Sequence, residues 1–266
     1  GGFREFAEEA FDPTKAGGKP EALAGVRVLE VATRIFGPAT SDYLGQFGAE
    51  VIKVELPYRG DLMRYVAPEG FFWKEVSPAF LSLNRNKLHV GLDLHPAEGK
   101  ELFLRLAEVS DVVVENLRAG TMDEWGVGYL QLRDRNPRIV YAANSGFGQW
   151  GPNAAGRASY DATAQAVSGF SAITGFPDHP PMKAGFWVGD YTAALMSATA
   201  ILAALAARGK TGEGQMIDVS MRVTRPRWDV SKLPSRWEKS RAPAVSKNRV
   251  PTPLPPSTRK NDPSST

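Results

Sequence analysis

Two stretches decide the fold: Gly25-Val-Arg-Val-Leu-Glu-Val-Ala32 and Ala49-Glu-Val-Ile-Lys-Val-Glu55. Both are rich in β-branched residues. The first ends before Gly37-Pro38 and the second before Pro57, so each reads as a strand closed by a turn. Between them, Pro38 to Phe47 suits a helix with proline in its first turn. Strand, helix and strand over about 30 residues is the length of a βαβ unit. The pattern then recurs. Pro96 to Val109 reads as a helix, Asp111 to Glu115 as a buried strand, Tyr129 to Arg135 as a short helix and Arg138 to Ala143 as a strand. Asp161 to Ser171 and Tyr191 to Ala207 read as helices, and Gly214 to Ser220 as a last strand. Such alternation predicts an α/β fold, a doubly wound, Rossmann-like parallel sheet whose ligands gather where loops leave the carboxyl ends of the strands.

Composition supports a globular body. Of 266 residues, 42% are apolar, and there is no cysteine, which excludes a disulfide scaffold, a thiolate metal site and a cysteine nucleophile. The formal net charge of +3 is unevenly placed. Residues 222–266 hold 11 Lys and Arg against 3 Asp and Glu, whereas residues 1–221 hold 21 against 26. A body of net negative charge lacks the electrostatic footprint of a nucleic-acid-binding domain. The acidic N-terminus has no secretory h-region, and Tyr191 to Ala207 is too short and too interrupted by polar residues for a membrane span. A buried core helix and a cytoplasmic location are expected.

The chain divides into an N-terminal extension over 1–22, the α/β body over 23–221 and a tail over 222–266. The tail contains 8 of the 20 prolines and no sustained apolar periodicity, so it is expected to be disordered. The body ends at what should be an internal strand, and the chain is therefore expected to be truncated or frame-shifted.

Several motifs are weaker than they look. Gly146-Phe-Gly-Gln-Trp-Gly151 matches a dinucleotide fingerprint and follows a strand, but Pro152, Asn153 and Gly156 stand where a helix should open. Gly209-Lys-Thr211 resembles the end of a P-loop but follows a helix, so it reads as a helix C-cap. His89, His95 and His179 have no ligand spacing, and no metal site is expected. What remains is acidic chemistry in glycine- and proline-rich turns: Asp161, Asp178 and Asp190. Asp161 and Asp190 also fit helix caps.

At these residues the sequence resembles the class III CoA-transferases, the family that includes formyl-CoA transferase-like enzymes, carnitine and bile-acid CoA-transferases and α-methylacyl-CoA racemases. The matching segments run in order from about residue 22 to 221. They include Leu23-Ala-Gly-Val-Arg-Val-Leu-Glu30, Phe47-Gly-Ala-Glu-Val-Ile-Lys-Val-Glu55, Gly60-Asp61, Asn84-Arg-Asn-Lys87, Asp111-Val-Val-Val-Glu-Asn116, Ser145-Gly-Phe-Gly148, Tyr160-Asp161, Gly189-Asp190 and Thr211-Gly-Glu-Gly-Gln215. The resemblance implies transfer of CoA from an acyl-CoA to a free carboxylic acid, with CoA as substrate and no tightly bound cofactor. It points to Asp178, in Thr174-Gly-Phe-Pro-Asp-His-Pro-Pro181, as the nucleophile, with Asp161 and Asp190 in support. For CoA it implies contacts at Ile35, Phe36, Leu92, His95, Asn116, Leu117, Arg118, Trp125 and Ser145. Such chemistry also needs N–H donors for the developing oxyanions, for which turns such as Ala184-Gly185 are candidates.

The resemblance also implies a second, smaller domain, for which the sequence after Met221 shows no counterpart, and an interlocked homodimer or pairing with a longer homologous subunit. Two rivals stand beside the transferase. A racemase reading suffers because Tyr160 replaces the histidine of the racemase pair, and a phenol with an ordinary pKa near 10 is a poor base at neutral pH. A non-catalytic CoA-binding or assembly subunit is the other.

Overall fold

A computed structural model describes residues 21–67, 70–150, 157–176, 178, 180–221 and 223–228. The N-terminal extension up to residue 20, the end of the Gly146 motif at Gly151, His179 and the tail beyond 228 lie outside the described residues. Strands β1 (Arg27–Val31), β2 (Glu50–Glu55), β3 (Lys87–Gly91), β4 (Val112–Glu115), β5 (Val140–Ser145), β6 (Met216–Ser220) and β7 (Val223–Trp228) form one sheet in the order β3-β2-β1-β4-β5-β6-β7. The first six strands are parallel and β7 runs antiparallel to β6.

The helices are α1 (Phe36–Gln46), α2 (Pro78–Leu83), α3 (Ala97–Glu108), α4 (Thr121–Glu124), α5 (Tyr129–Arg135), α6 (Asp161–Val167) and α7 (Val188–Thr211). Strand alternation sends side chains to two cores. Val28, Val51, Val112, Val114, Val140 and Ile217 pack with Ala39 and Leu44 of α1 and with Ala194, Ala198 and Ile201 of α7. Leu29, Val31, Val113 and Tyr141 pack with Phe103 and Ala107 of α3 and Leu132 of α5. Two covered faces explain why the central strands read as near-continuous apolar runs.

Helix α7 is long and apolar enough to cross a membrane, but its small residues Ala193, Ala194, Ser197, Ala198 and Ala204 are buried within the protein. They let it lie close to α1 and the sheet. It ends where Gly212 takes the left-handed conformation at φ +79°, with Arg208 and Lys210 in the last turn beside the negative end of its dipole. The sequence reading of this helix, Tyr191 to Ala207, is short by a turn at its start and by four residues at its end.

Beyond Met221 the described residues include β7. Its backbone adds an edge strand, pairing Ser220 with Val223 and Ile217 with Trp228. Pro226 lies within it, a position tolerated because β7 is the edge of the sheet among the described residues, where the missing N–H is not needed for pairing.

The order of the sheet reverses between β1 and β4: the chain goes outward from β1 to β2 and β3, then returns to β4 on the other side. The loops leaving β1 and β4 therefore part company there and open a crevice. Asn116, just after β4, bridges it. Its Nδ2 donates to the Thr33 carbonyl (2.8 Å) and its Oδ1 accepts from the Thr33 N–H (2.9 Å). Gly37 is required beside this bridge, since a Cβ there would come 2.5 Å from the Ala32 Cβ and 3.0 Å from Asn116 Cγ.

Candidate active site

The crevice holds a cavity of about 500 Å³. Its walls come from the loop after β1 (Thr33 to Phe36), the loop after β4 (Asn116 to Ala119), the end of β5 (Asn144 and Ser145), the start of α6 and the start of α7.

A buried ionic lattice fixes the β1 loop. Lys53 Nζ sits 2.5 Å from Glu30 Oε1 and 2.9 Å from Asp61 Oδ2, with all three side chains fully buried or nearly so, and it also donates to the Ala32 carbonyl (2.7 Å). Lys87 Nζ reaches Glu30 Oε2 at 2.8 Å, and the Ser41 hydroxyl donates to the same oxygen. Burial alone would raise the Glu30 pKa, but the two ammonium groups overcome it and hold the carboxyl at about 2. Asp61 Oδ1 then accepts from the Thr33 hydroxyl, the Arg34 N–H and the Met63 N–H, each at 2.9 Å. Glu55 takes the Asp61 N–H at 2.7 Å and pairs with Arg64 and His89. The charges of β1, β2 and β3 thus converge on one loop, and Arg34 emerges from it with φ +68°, a left-handed conformation that costs any residue with a Cβ energy and needs such support.

Two aspartates enter the cavity from the helix starts. Asp161, the first residue of α6, is 3% exposed. Its Oδ1 accepts from the Gly189 N–H (2.7 Å), its Oδ2 accepts from Gln165 Nε2 (2.6 Å), and Lys183 Nζ lies 3.7 Å from Oδ2. Asp190, in the first turn of α7, is 8% exposed. Its pKa is pushed up to about 7, first by burial and then by the nearby charge of Asp161, with the Phe36 backbone N–H acting in the opposite sense. Neither aspartate caps its own helix, as the sequence had suggested; one ties α6 to α7 and the other faces the cavity. Glycine between Val188 and Asp190 allows this approach without displacement, since a Cβ on Gly189 would lie 3.0 Å from Asp161 Oδ1, tighter than an ordinary contact.

Glu115, at the end of β4, is a second raised carboxyl. Burial lifts its pKa to about 8, the Leu117 N–H (2.7 Å) and Tyr141 oppose the rise, and Asp123 and Asp218 add to it. It is the internal support of the β4 loop, as the lattice is of the β1 loop. The polar end of β5 was not legible in the sequence: Asn144 is buried and links Thr40 of α1 (3.2 Å) to Ser197 of α7 (2.8 Å).

Of the residues singled out from sequence, Ile35, Phe36, Asn116, Leu117, Arg118, Ser145, Asp161 and Asp190 all line the cavity. Leu92, His95 and Trp125 do not. His95 packs its ring against Trp125 (5.0 Å between centroids), and Leu92, Leu117 and Trp125 border the same apolar core. Leu117 therefore joins the cavity to this second patch. Asp178 is exposed in a turn and is not part of the cavity lining. The Ala184 N–H, a suggested oxyanion donor, is already engaged by Gln165 Oε1 at 2.9 Å. Arg34, Gln165 and Lys183 were not singled out; the signal for Arg34 was a charge directly after a strand at the expected switch point.

Comparison with known proteins agrees with this geometry. The family model described as CoA-transferase family III matches residues 23–257. The succinyl-CoA–D-citramalate CoA-transferase of Chloroflexus aurantiacus is 41% identical over 206 residues, which are 76% of this chain and 50% of that protein. The succinyl-CoA–L-malate CoA-transferase alpha subunit of the same organism is 40% identical over 224 residues, 83% of this chain and 52% of the relative. Among solved structures, a CAIB/BAIF family protein from Brucella suis superposes with a TM-score of 0.73 at 37% identity, over 77% of this chain and 54% of the other. The chain spans about half the length of the relatives it matches. With the parallel sheet, the crevice and the two aspartates in place, the chain belongs to CoA-transferase family III.

Proposed function

We propose that this chain carries the thioester-binding part of an enzyme that moves CoA from an acyl-CoA to a free carboxylic acid. The observation that carries the reading is the pair of buried carboxylates, Asp161 and Asp190, in the cavity at the switch point of the sheet. Asp161 spends both oxygens on Gly189 and Gln165, so it serves as a positioning residue. Asp190 is the carboxylate left for the ligand, and its place in the cavity supports it as the nucleophile, with Asp178, to which the sequence resemblance points, as the other candidate.

In the reaction, an ionised Asp190 oxygen attacks the thioester carbonyl, the C–S bond breaks and CoA leaves as the thiolate. The product is a mixed anhydride. The thiolate then attacks the Asp190 carbonyl carbon, releasing the first acid and leaving an aspartyl-CoA thioester. The acceptor carboxylate repeats the attack, and the thiolate finally takes the acceptor's acyl group and frees Asp190. A carboxylate with little solvation suits this role, because the anhydride is destroyed by water and the cavity that desolvates Asp190 also limits water. Pantetheine enters past Ile35 and Phe36, and the adenine end of CoA runs over Leu117 toward Leu92, His95 and Trp125.

The test is thioester exchange. Protein incubated with succinyl-CoA and an isotopically labelled acid is expected to produce the labelled acyl-CoA, and Asp190→Asn to abolish it. Absence of exchange by a folded wild-type chain that binds CoA would favour a second reading, a CoA-binding subunit that works with a longer partner. The relative named as an alpha subunit supports that alternative.

A further inference from the structure

Arg34 has no part in the transfer steps above, yet the fold goes to some length to place it. It lines the cavity, its backbone is held in the left-handed region by Asp61, and its guanidinium lies 4.5 Å from the centre of the Tyr160 ring. Tyr160 immediately precedes Asp161, so the arginine is stacked on the same loop that brings the cavity carboxylate. Stacking occupies the face of a guanidinium and leaves its N–H edge free for a planar anion. Among the described residues no carboxylate lies within ion-pairing distance of Arg34. Lys183, by contrast, faces Asp161 at 3.7 Å and donates to the Ala184 carbonyl.

We propose that Arg34 is the specificity determinant for a dicarboxylic acyl group: it receives the far carboxylate while the thioester end meets Asp190. The assignment rests on the transferase reading. A half-buried arginine with a free donor edge, in a cavity whose lining also carries Arg118, Arg157 and Lys183, favours a substrate that carries its own negative charge away from the reacting carbon. A monocarboxylic acyl group of equal length leaves the guanidinium desolvated without a partner.

The experiment compares the affinities of the full chain for CoA, butyryl-CoA and succinyl-CoA by titration calorimetry, which needs no turnover. Wild type is expected to prefer succinyl-CoA over butyryl-CoA by about tenfold to a hundredfold, the range for a hydrogen-bonded charge pair. Arg34→Asn removes the charge with a side chain that tolerates positive φ, and is expected to bring that ratio to within about threefold of unity. Arg34→Lys, which keeps the charge but not the fork, is expected to retain an intermediate preference. A wild-type ratio near unity, or a ratio unchanged in Arg34→Asn, overturns the assignment. An equal loss for all three ligands overturns it too, by showing that Arg34 meets a phosphate of CoA. If wild type binds none of the three, the acyl-CoA reading itself fails and takes the assignment with it.

Discussion

Asp161 Oδ1 accepts a 2.7 Å hydrogen bond from the backbone N–H of Gly189, and this one contact fastens the first residue of α6 to the first turn of α7. Because Asp190 is the next residue, the bond sets where the second carboxylate stands. It also sets its chemistry, since the negative charge of Asp161 adds to burial in raising the Asp190 pKa to about 7.

The first consequence is a pH profile. If Asp190 must be ionised to attack, the rate of adduct formation rises with pH through about 7 and levels off above it. Asp161→Asn removes the like charge and is expected to move the midpoint to lower pH while leaving burial, the larger cause, in place. Single-turnover rates measured between pH 5 and 9 check both statements. A midpoint that stays put in Asp161→Asn would show that the two carboxyl groups are not coupled.

Gly189→Ala tests the contact directly. The added Cβ meets Asp161 Oδ1 at 3.0 Å, so either the first turn of α7 or the carboxylate must give way. The expected cost is about 1–3 kcal/mol, typical of overpacking, together with a loss of transfer activity larger than the loss of folded protein explains. Denaturant titration and exchange assays on the same sample separate the two effects.

The ionic lattice under the β1 loop is expected to be intolerant of removal of one partner. Lys53→Met leaves Glu30 and Asp61 buried with fewer counter-charges, and the expected loss is about 3–5 kcal/mol. The measurement is denaturant unfolding at pH 7, and a change below about 1 kcal/mol would contradict a structural role for the lattice.

Stability should fall on both sides of a mildly acidic optimum. Glu30 is held down at about 2, so its contribution is present above its ordinary value of 4.5 and is lost as pH falls toward 2. Asp190 and Glu115 are raised to about 7 and about 8, so their contributions are complete below their ordinary values and are lost as pH rises through those values. Each group that titrates gives a slope of up to about 1.4 kcal/mol per pH unit. Glu115→Gln keeps an acceptor for the Leu117 N–H without ionising, and is expected to flatten the alkaline limb in unfolding curves taken at pH 6 and pH 9.

Much of the sheet was legible because its central strands are buried on both faces: apolar runs like Val112-Val-Val-Glu115 mean little else between turn residues. β3 was missed for a physical reason. It alternates toward a sheet edge, and its Lys87 is buried only because Glu30 of β1 neutralises it, a pairing across 57 residues that no local pattern displays. α2 was missed as well; its Ser77 cap and Pro78 are clear once the helix is known, but six residues carry too little periodicity. β7 was hidden by its proline and arginines. In the site, the sequence marked three aspartates in turns and could not rank their burial. The Gly189 that lets the first turn of α7 press against Asp161 was the available clue, and it looks like any turn glycine until the two helices are brought together.

The central claim, that the cavity carboxylate Asp190 is the nucleophile, is tested most directly by mass spectrometry of the full chain quenched during incubation with succinyl-CoA, with the modified residue located by peptide sequencing. The account predicts a succinyl or CoA adduct on Asp190 that disappears in Asp190→Asn and persists in Asp178→Asn. An adduct on Asp178, formed equally well when Asp190 is replaced, would contradict it.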